Sequence, residues 1–107
     1  MVRGEVVRLG APRRARGHEQ RGLRPGVVVQ ADELLELSTV LIAPTSRSAQ
    51  AATFRPTIEV AGAPTRVLTD QLRVVDSQAI TDSIGYLSHG EMAAVDDALA
   101  LVLGLPG

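Results

Sequence analysis

Apolar and polar positions alternate in short runs along most of this chain, and only its last stretch carries a helical repeat. Arg3 to Leu9 mixes β-branched and polar residues and predicts a first strand. Gly10 to Arg24 contains Gly10, Pro12, Gly17, Gly22 and five arginines, which predicts a loop longer than most connections. Pro25 to Gln30 follows as a continuous apolar run of strand length, the pattern of a buried central strand. Ala31 to Glu36 has helical propensity for a turn or two. Ser38 to Ala43 is the next β-rich run, with Pro44 expected to stop it and Thr45 to Ala52 expected as loop. Thr57 to Val60 and Arg66 to Leu68 flank a hairpin-like break at Ala61 to Pro64. Leu72 to Val75 predicts a further strand, Ser77 to Ile80 one helical turn, and Ile84 to Leu87 a last short strand.

The C-terminal segment predicts the one substantial helix. Ser88 and Glu91 stand at capping-box spacing. Met92, Val95, Leu99 and Val102 then recur on one face, joined by Leu103, until Gly104 and Pro106 end the helix. Many short strands with Gly and Pro breaks, plus one terminal helix, predict a mainly β fold with α: a small, curled antiparallel sheet or barrel. At 107 residues, positions 1–107 form a single domain.

Composition narrows the chemistry. Apolar residues make up 45% of the chain and the only aromatics are Phe54 and Tyr86, so the core must be built from Val, Leu, Ile and Ala. There is no cysteine, hence no disulfide, thiol nucleophile or thiolate metal site. His18 and His89 cannot make a zinc site unaided, so neither a metal nor another cofactor is expected. No apolar run of membrane-spanning length and no signal-peptide pattern stands out, and a cytoplasmic protein with no membrane partner is the expectation. The net charge of −1 conceals an asymmetry. Residues 1–24 carry seven arginines against Glu5 and Glu19, while residues 25–107 carry four arginines against ten acids. A basic front on an acidic body fits a phosphate-bearing partner.

With no P-loop, metal cluster or Cys–His pair, the groups left for chemistry are Arg, Glu, Ser, Thr and backbone N–H. They suit a cleavage in which the substrate brings its own nucleophile, as RNA does with its 2′-OH. Arg24 precedes Pro25, which biases it to an extended conformation at the head of a strand. Its guanidinium offers a planar fork matched to phosphate, although a surface arginine at a strand edge would look the same in sequence. Thr45 is a hydroxyl donor for a non-bridging phosphate oxygen, or a turn residue bonding its own backbone. Ser46 and Arg47 share that segment and suit related work. Glu19 is a base for a 2′-OH, or a carboxylate that holds an arginine in place. Gln20 bonds a base edge, or stabilises its loop. Arg13, Arg14, Arg16 and Arg21 form a phosphate track, or a merely solvated loop. His18 is a weaker candidate, and His89 reads as a surface helix residue.

Five segments in order resemble one family. Arg3-Gly4-Glu5-Val6 resembles an opening R-G-D/E-I/V, and Gly17 to Pro25 fits a G-x-E-Q-x-G-x-R-P signature. Ser38 to Arg47 is similar to S-T-V-I-V-A-P-x-T-S-R, and Asp70 to Asp76 to D-Q-I/L-R-x-I/V/L-D. Ile84 to Ser88 and the terminal helix resemble the same family's C-terminus. These are the marks of the MazF/PemK-like toxins, the endoribonuclease half of type II toxin–antitoxin pairs. The resemblance implies an SH3-like, partly open antiparallel β-barrel with a C-terminal α-helix, and a homodimer. It implies metal-independent cleavage of single-stranded RNA at a short sequence, leaving 2′,3′-cyclic phosphate and 5′-OH ends. It places the family's catalytic Arg, Thr and Glu at Arg24, Thr45 and Glu19; the RNA contacts expected at Arg13, Arg14, Arg16, Gln20, Arg21, Ser46 and Arg47 rest on their charge and polarity alone. It also implies a cognate antitoxin whose acidic, disordered tail covers the basic site. One residue fewer separates Pro44 from Thr45 than in the commoner pattern, which leaves the roles of Thr45 and Ser46 exchangeable. Val6-Val7 stands where many members carry an aromatic. A gyrase-directed toxin and a non-catalytic RNA-binding relative are the alternatives on the same fold.

Overall fold

The computed structural model describes residues 1–10 and 24–106. Among the described residues, seven strands and one long helix follow in order: β1 (Glu5–Leu9), β2 (Pro25–Val28), β3 (Thr39–Ser46), β4 (Thr57–Val60), β5 (Ala63–Val67), β6 (Arg73–Asp76), β7 (Ile80–Tyr86) and α1 (His89–Leu103). Short 3-10 turns at Asp32–Leu34, Thr69–Gln71 and Ser77–Ala79 link them. All pairings are antiparallel, in the order β4-β5-β3-β2-β1-β7, with β6 also on β3. The result is a mostly β, curled half-barrel closed by a C-terminal helix, as expected.

β3 makes the curl. One edge pairs with β2 through Ile42, Ala43 and Pro44. The other pairs with β6 over Thr39–Ile42, then with β5 at Thr45 and Ser46. Pro44 does not stop the strand, contrary to the sequence expectation. Its carbonyl accepts from the Leu68 N–H at 2.8 Å, so its nitrogen also faces that second edge, at the gap where β6 has ended and β5 begins. A missing N–H costs nothing where no ladder acceptor stands opposite. Thr45 and Ser46 therefore belong to the strand and not to the loop.

The side chain of Ile42 on β3 lies close against Gly26 of β2. A Cβ on Gly26 would stand 2.5 Å from Ile42 Cγ2, so only glycine permits this approach. β7 is longer than the predicted Ile84–Leu87, because Ile80 to Tyr86 pairs along all of β1 with irregularities at Val6/Val7 and Arg8/Leu9. Its polar sequence is that of a half-exposed edge strand, which has no continuous apolar signal to read.

The core contains no aromatic among its buried apolar residues, as composition required. One cluster joins Val6, Val27, Val29, Ala43, Ile58, Val60 and Val67 to Val95 and Leu99 of α1. A second, on the other sheet face, joins Val7, Leu9, Val28, Val40, Ile42 and Val75. β1, β2 and β3 thus bury residues on both faces, which explains the continuous apolar runs of β2 and β3. The capping box forms as predicted: Ser88 Oγ accepts from Glu91 N at 3.1 Å, and Glu91 Oε1 accepts from Ser88 N at 2.9 Å. Glu91 Oε2 also accepts from Glu59 N at 2.8 Å, tying the helix start to β4. The predicted apolar face holds for its first half only. Val95, Ala98 and Leu99 are buried, but Val102 and Leu103 are exposed with Leu101 and Leu105, so the last turn is not covered by the rest of the chain's described residues.

Candidate functional site

The half-barrel leaves a cleft of about 380 Å³ at the end where β2 begins and β3 ends. Arg8 of β1, Arg24 and Pro25 at the head of β2, and Thr45, Ser46, Arg47 and Ser48 at the end of β3 line it. Ile84 of β7, Val60 and Ala61 at the β4–β5 turn, and Thr65 of β5 complete the wall. Three arginines and several hydroxyls thus surround an apolar patch, and no carboxylate lines the cleft among the described residues. Such a wall suits an anion attached to an apolar or aromatic group.

Local register brings these residues together. Arg8 stands opposite Pro25 across β1 and β2, and Gly26 stands opposite Pro44 across β2 and β3. The head of β2, and Arg24 with it, is therefore held between β1 and the end of β3. Thr45, only 2% exposed, donates its hydroxyl to the Pro25 carbonyl at 2.8 Å. Ser46 is half-buried, and its Oγ accepts from the N–H groups of Ser48 at 3.2 Å and Ala49 at 3.0 Å.

The segment after β3 is anchored from below. Arg66 Nε donates to the Ala49 carbonyl at 3.0 Å. Arg55 donates to both carboxylate oxygens of Asp70, at 3.1 and 2.8 Å, while its Nη1 donates to the Gln50 carbonyl. The Thr69 hydroxyl donates to the Phe54 carbonyl, and the Arg55 guanidinium sits 5.6 Å from the Phe54 ring centre. Arg55 holds the Asp70 carboxyl below its ordinary pKa by that direct hydrogen bonding. The arginines thus divide by environment. Arg3 pairs with Asp96 at 2.8 Å and Arg55 with Asp70, whereas Arg8, Arg24 and Arg47 form no ion pair with a described residue.

Of the sequence-predicted residues, Arg24, Thr45, Ser46 and Arg47 meet in this cleft. Glu19, Arg13, Arg14, Arg16, Gln20 and Arg21 lie outside the described residues. Arg8, Ser48 and Thr65 line the cleft and were missed. Arg8 was visible only as one charge of the basic front; its place depends on the β1–β2 register, which the long intervening stretch hides.

The sequence model of a toxin family, described as the PemK-like, MazF-like toxin of type II toxin–antitoxin systems, matches residues 2–103. The chain belongs to that family. A Mycobacterium tuberculosis protein named "putative toxin" is 43% identical over 106 residues, which cover 98% of this chain and 99% of that protein. Solved structures agree in fold. A mycobacterial endoribonuclease in complex with its cognate antitoxin superposes with a TM-score of 0.83 at 18% identity, covering 100% of this chain and 98% of that one. The Mycobacterium tuberculosis toxin MazF-mt6 gives 0.79 at 15% identity, with 96% and 99% covered. MazF from Deinococcus radiodurans gives 0.77 at 25% identity, with 98% and 97% covered. In this MazF-like toxin the signature arginine, Arg24, therefore shares a cleft with the T-S-R end of β3.

Among the described residues no helix is long and apolar enough to cross a membrane, and no group of three or more His, Cys, Asp or Glu is placed to hold a metal ion.

Proposed function

We propose that this toxin is a sequence-specific endoribonuclease that cuts single-stranded RNA by attack of the substrate's own 2′-OH, without a metal. The observation that carries the reading is the cleft in which Arg24, Arg8 and Arg47 converge with the hydroxyls of Thr45 and Ser46, with no carboxylate among the described lining residues. In the reaction the 2′-OH loses its proton, the O2′–P bond forms and the P–O5′ bond breaks, and the departing O5′ takes a proton from water, leaving a 2′,3′-cyclic phosphate and a 5′-OH. Arg24 stabilises the charge that gathers on the phosphorane. A hydroxyl at the end of β3 fixes a non-bridging oxygen, and Arg8 and Arg47 hold the backbone on either side. Glu19 of the signature takes the 2′-OH proton or orients an arginine; the basic residues Arg13, Arg14, Arg16 and Arg21, with Gln20, extend the contact along the strand.

The fold neighbour named an endoribonuclease supports the activity, and its complex with a cognate antitoxin supports an antitoxin as partner. An acidic, disordered antitoxin tail would compete with RNA for the same arginines. The same reading makes the working form a cytoplasmic homodimer, with Leu101, Val102, Leu103 and Leu105 as exposed apolar residues available to a second copy.

The test is incubation of purified protein with a long single-stranded RNA in the presence of EDTA, followed by end-group analysis. Cuts at a recurring short sequence with 5′-OH ends are expected. A folded protein that cuts neither mRNA, rRNA nor tRNA refutes the reading and leaves a toxin that binds without cutting.

A further inference from the structure

We propose that the hydroxyl given to the scissile phosphate is that of Ser46, and that Thr45 is a positioning residue which holds the Pro25 carbonyl and, through it, the stem of Arg24. The proposal rests on the ribonuclease reading above and assigns the work within that site.

The two residues are neighbours on β3 with opposite hydrogen-bond states. A hydroxyl has one proton to give and two lone pairs to receive with. Thr45 is 2% exposed, and its proton is committed to the Pro25 carbonyl at 2.8 Å. Presenting it to a phosphate would break a bond that ties β3 to the head of β2. Ser46 is half-buried on the cleft wall, and its oxygen already receives the N–H groups of Ser48 and Ala49 at 3.2 and 3.0 Å. Both lone pairs are engaged, so what Ser46 has left is its proton. The Ser48 hydroxyl oxygen stands 3.4 Å away, long for a bond between hydroxyls. Two N–H groups donating into one hydroxyl oxygen polarise its O–H and improve it as a donor to an anion.

The scaffold keeps Ser46 in this state. It pairs with Arg66 across β3 and β5, and Arg66 Nε binds the Ala49 carbonyl at 3.0 Å, closing the turn whose N–H groups load the serine. No proton leaves Ser46 in the reaction. Its hydrogen bond strengthens as charge builds on the non-bridging oxygen while the O2′–P bond forms and the P–O5′ bond breaks.

Replacing one non-bridging oxygen of the scissile linkage by sulfur, a poorer acceptor, tests the assignment. The substrate is an oligoribonucleotide carrying the sequence the wild-type protein cuts, prepared with oxygen or with each phosphorothioate diastereomer. Wild type is expected to prefer oxygen over one diastereomer. Ser46→Ala is expected to slow the oxygen substrate by about 10²–10³-fold and to erase most of that preference. Ser46→Thr, which keeps the hydroxyl, is expected to retain it. Thr45→Val is expected to cut more slowly with the preference intact, and Thr45→Ser to recover the rate. If Ser46→Ala does not fold, Ser46→Cys, a weak donor and acceptor, carries the same expectation. A wild-type rate or an undiminished preference in the folded Ser46 variant overturns the assignment, as does loss of the preference in Thr45→Val alone. A wild-type protein that cuts no RNA overturns the ribonuclease reading, and the role of Ser46 with it.

Discussion

Gly26→Ala is the sharpest test of how the fold builds the site. The new Cβ would stand 2.5 Å from Ile42 Cγ2, well inside the separation that carbon atoms tolerate. Ile42 cannot swing away easily. Its clashing methyl sits on the β-carbon, whose rotamer is restricted, and the residue is fully buried against Val7, Val28 and Val40. Relief therefore requires β2 and β3 to part or Ile42 to leave its rotamer. Overpacking of this kind typically costs about 1–3 kcal/mol. For a domain of this size, about 2 kcal/mol corresponds to a fall in Tm of roughly 8–16 °C. Urea denaturation at one fixed protein concentration measures the cost, since association would otherwise shift the midpoint. Ile42→Leu removes the β-branch, so the double variant is expected to recover part of the loss and show non-additivity. The function should suffer beyond the stability. The Thr45–Pro25 bond of 2.8 Å spans the same two strands, and parting them moves Arg24 away from Ser46. RNA cleavage is then expected to fall even at temperatures where the variant is folded. A Gly26→Ala protein within about 0.5 kcal/mol of wild type and cleaving normally would refute this account of the β2–β3 approach.

Arg24→Ala should lower RNA cleavage by at least about 10²-fold with an unchanged circular-dichroism spectrum and Tm, because Arg24 is exposed and forms no ion pair with a described residue. Arg8→Ala should flatten the dependence of log affinity on log salt for a non-cleavable single-stranded oligonucleotide by about 0.7, the slope of one phosphate contact. Asp70→Asn should loosen the Arg55 clamp with a defined pH signature. The Asp70 pKa is depressed in the fold, so its stabilisation is present above the ordinary carboxylate pKa and is lost as pH falls through the lower folded value. The urea midpoints of wild type and Asp70→Asn should differ near neutrality and converge in acid. Ser88→Ala should cost about 0.5–2 kcal/mol in the same assay, since it removes the acceptor for Glu91 N.

What could be read from sequence followed local rules. Capping residues, the β4–β5 break and the apolar runs of β2 and β3 depend on neighbours in the chain, and each was found near its expected place. At the break, Ala61 and Gly62 both take positive φ and turn β4 directly into β5. Failures arose where a distant partner decided the outcome. Pro44 continues a strand because β6 and β5 leave a gap beside it. β7 is a strand because β1 offers a full edge. Val102 and Leu103 repeat at helical spacing, yet no described part of the fold covers them. Periodicity marks an apolar face but not how far its cover extends.

The site divides in the same way. Arg24 and the T-S-R run were legible as motif, and the fold brings them into one cleft. Residue type alone did not show that adjacent hydroxyls are in opposite states. The Thr45 hydroxyl donates its hydrogen bond to the Pro25 carbonyl, while Ser46 has filled its lone pairs and keeps its proton free to donate. Both residues pair with β5, Thr45 opposite Val67 and Ser46 opposite Arg66, but successive side chains of a strand point to opposite faces, and the one at Thr45 meets the Pro25 carbonyl. The alternation of a β-strand thus turns two similar side chains into one that fastens the frame and one left with a proton to donate. The shortened spacing after Pro44 has a physical reading in these terms: what matters is which hydroxyl the strand leaves with a proton to donate.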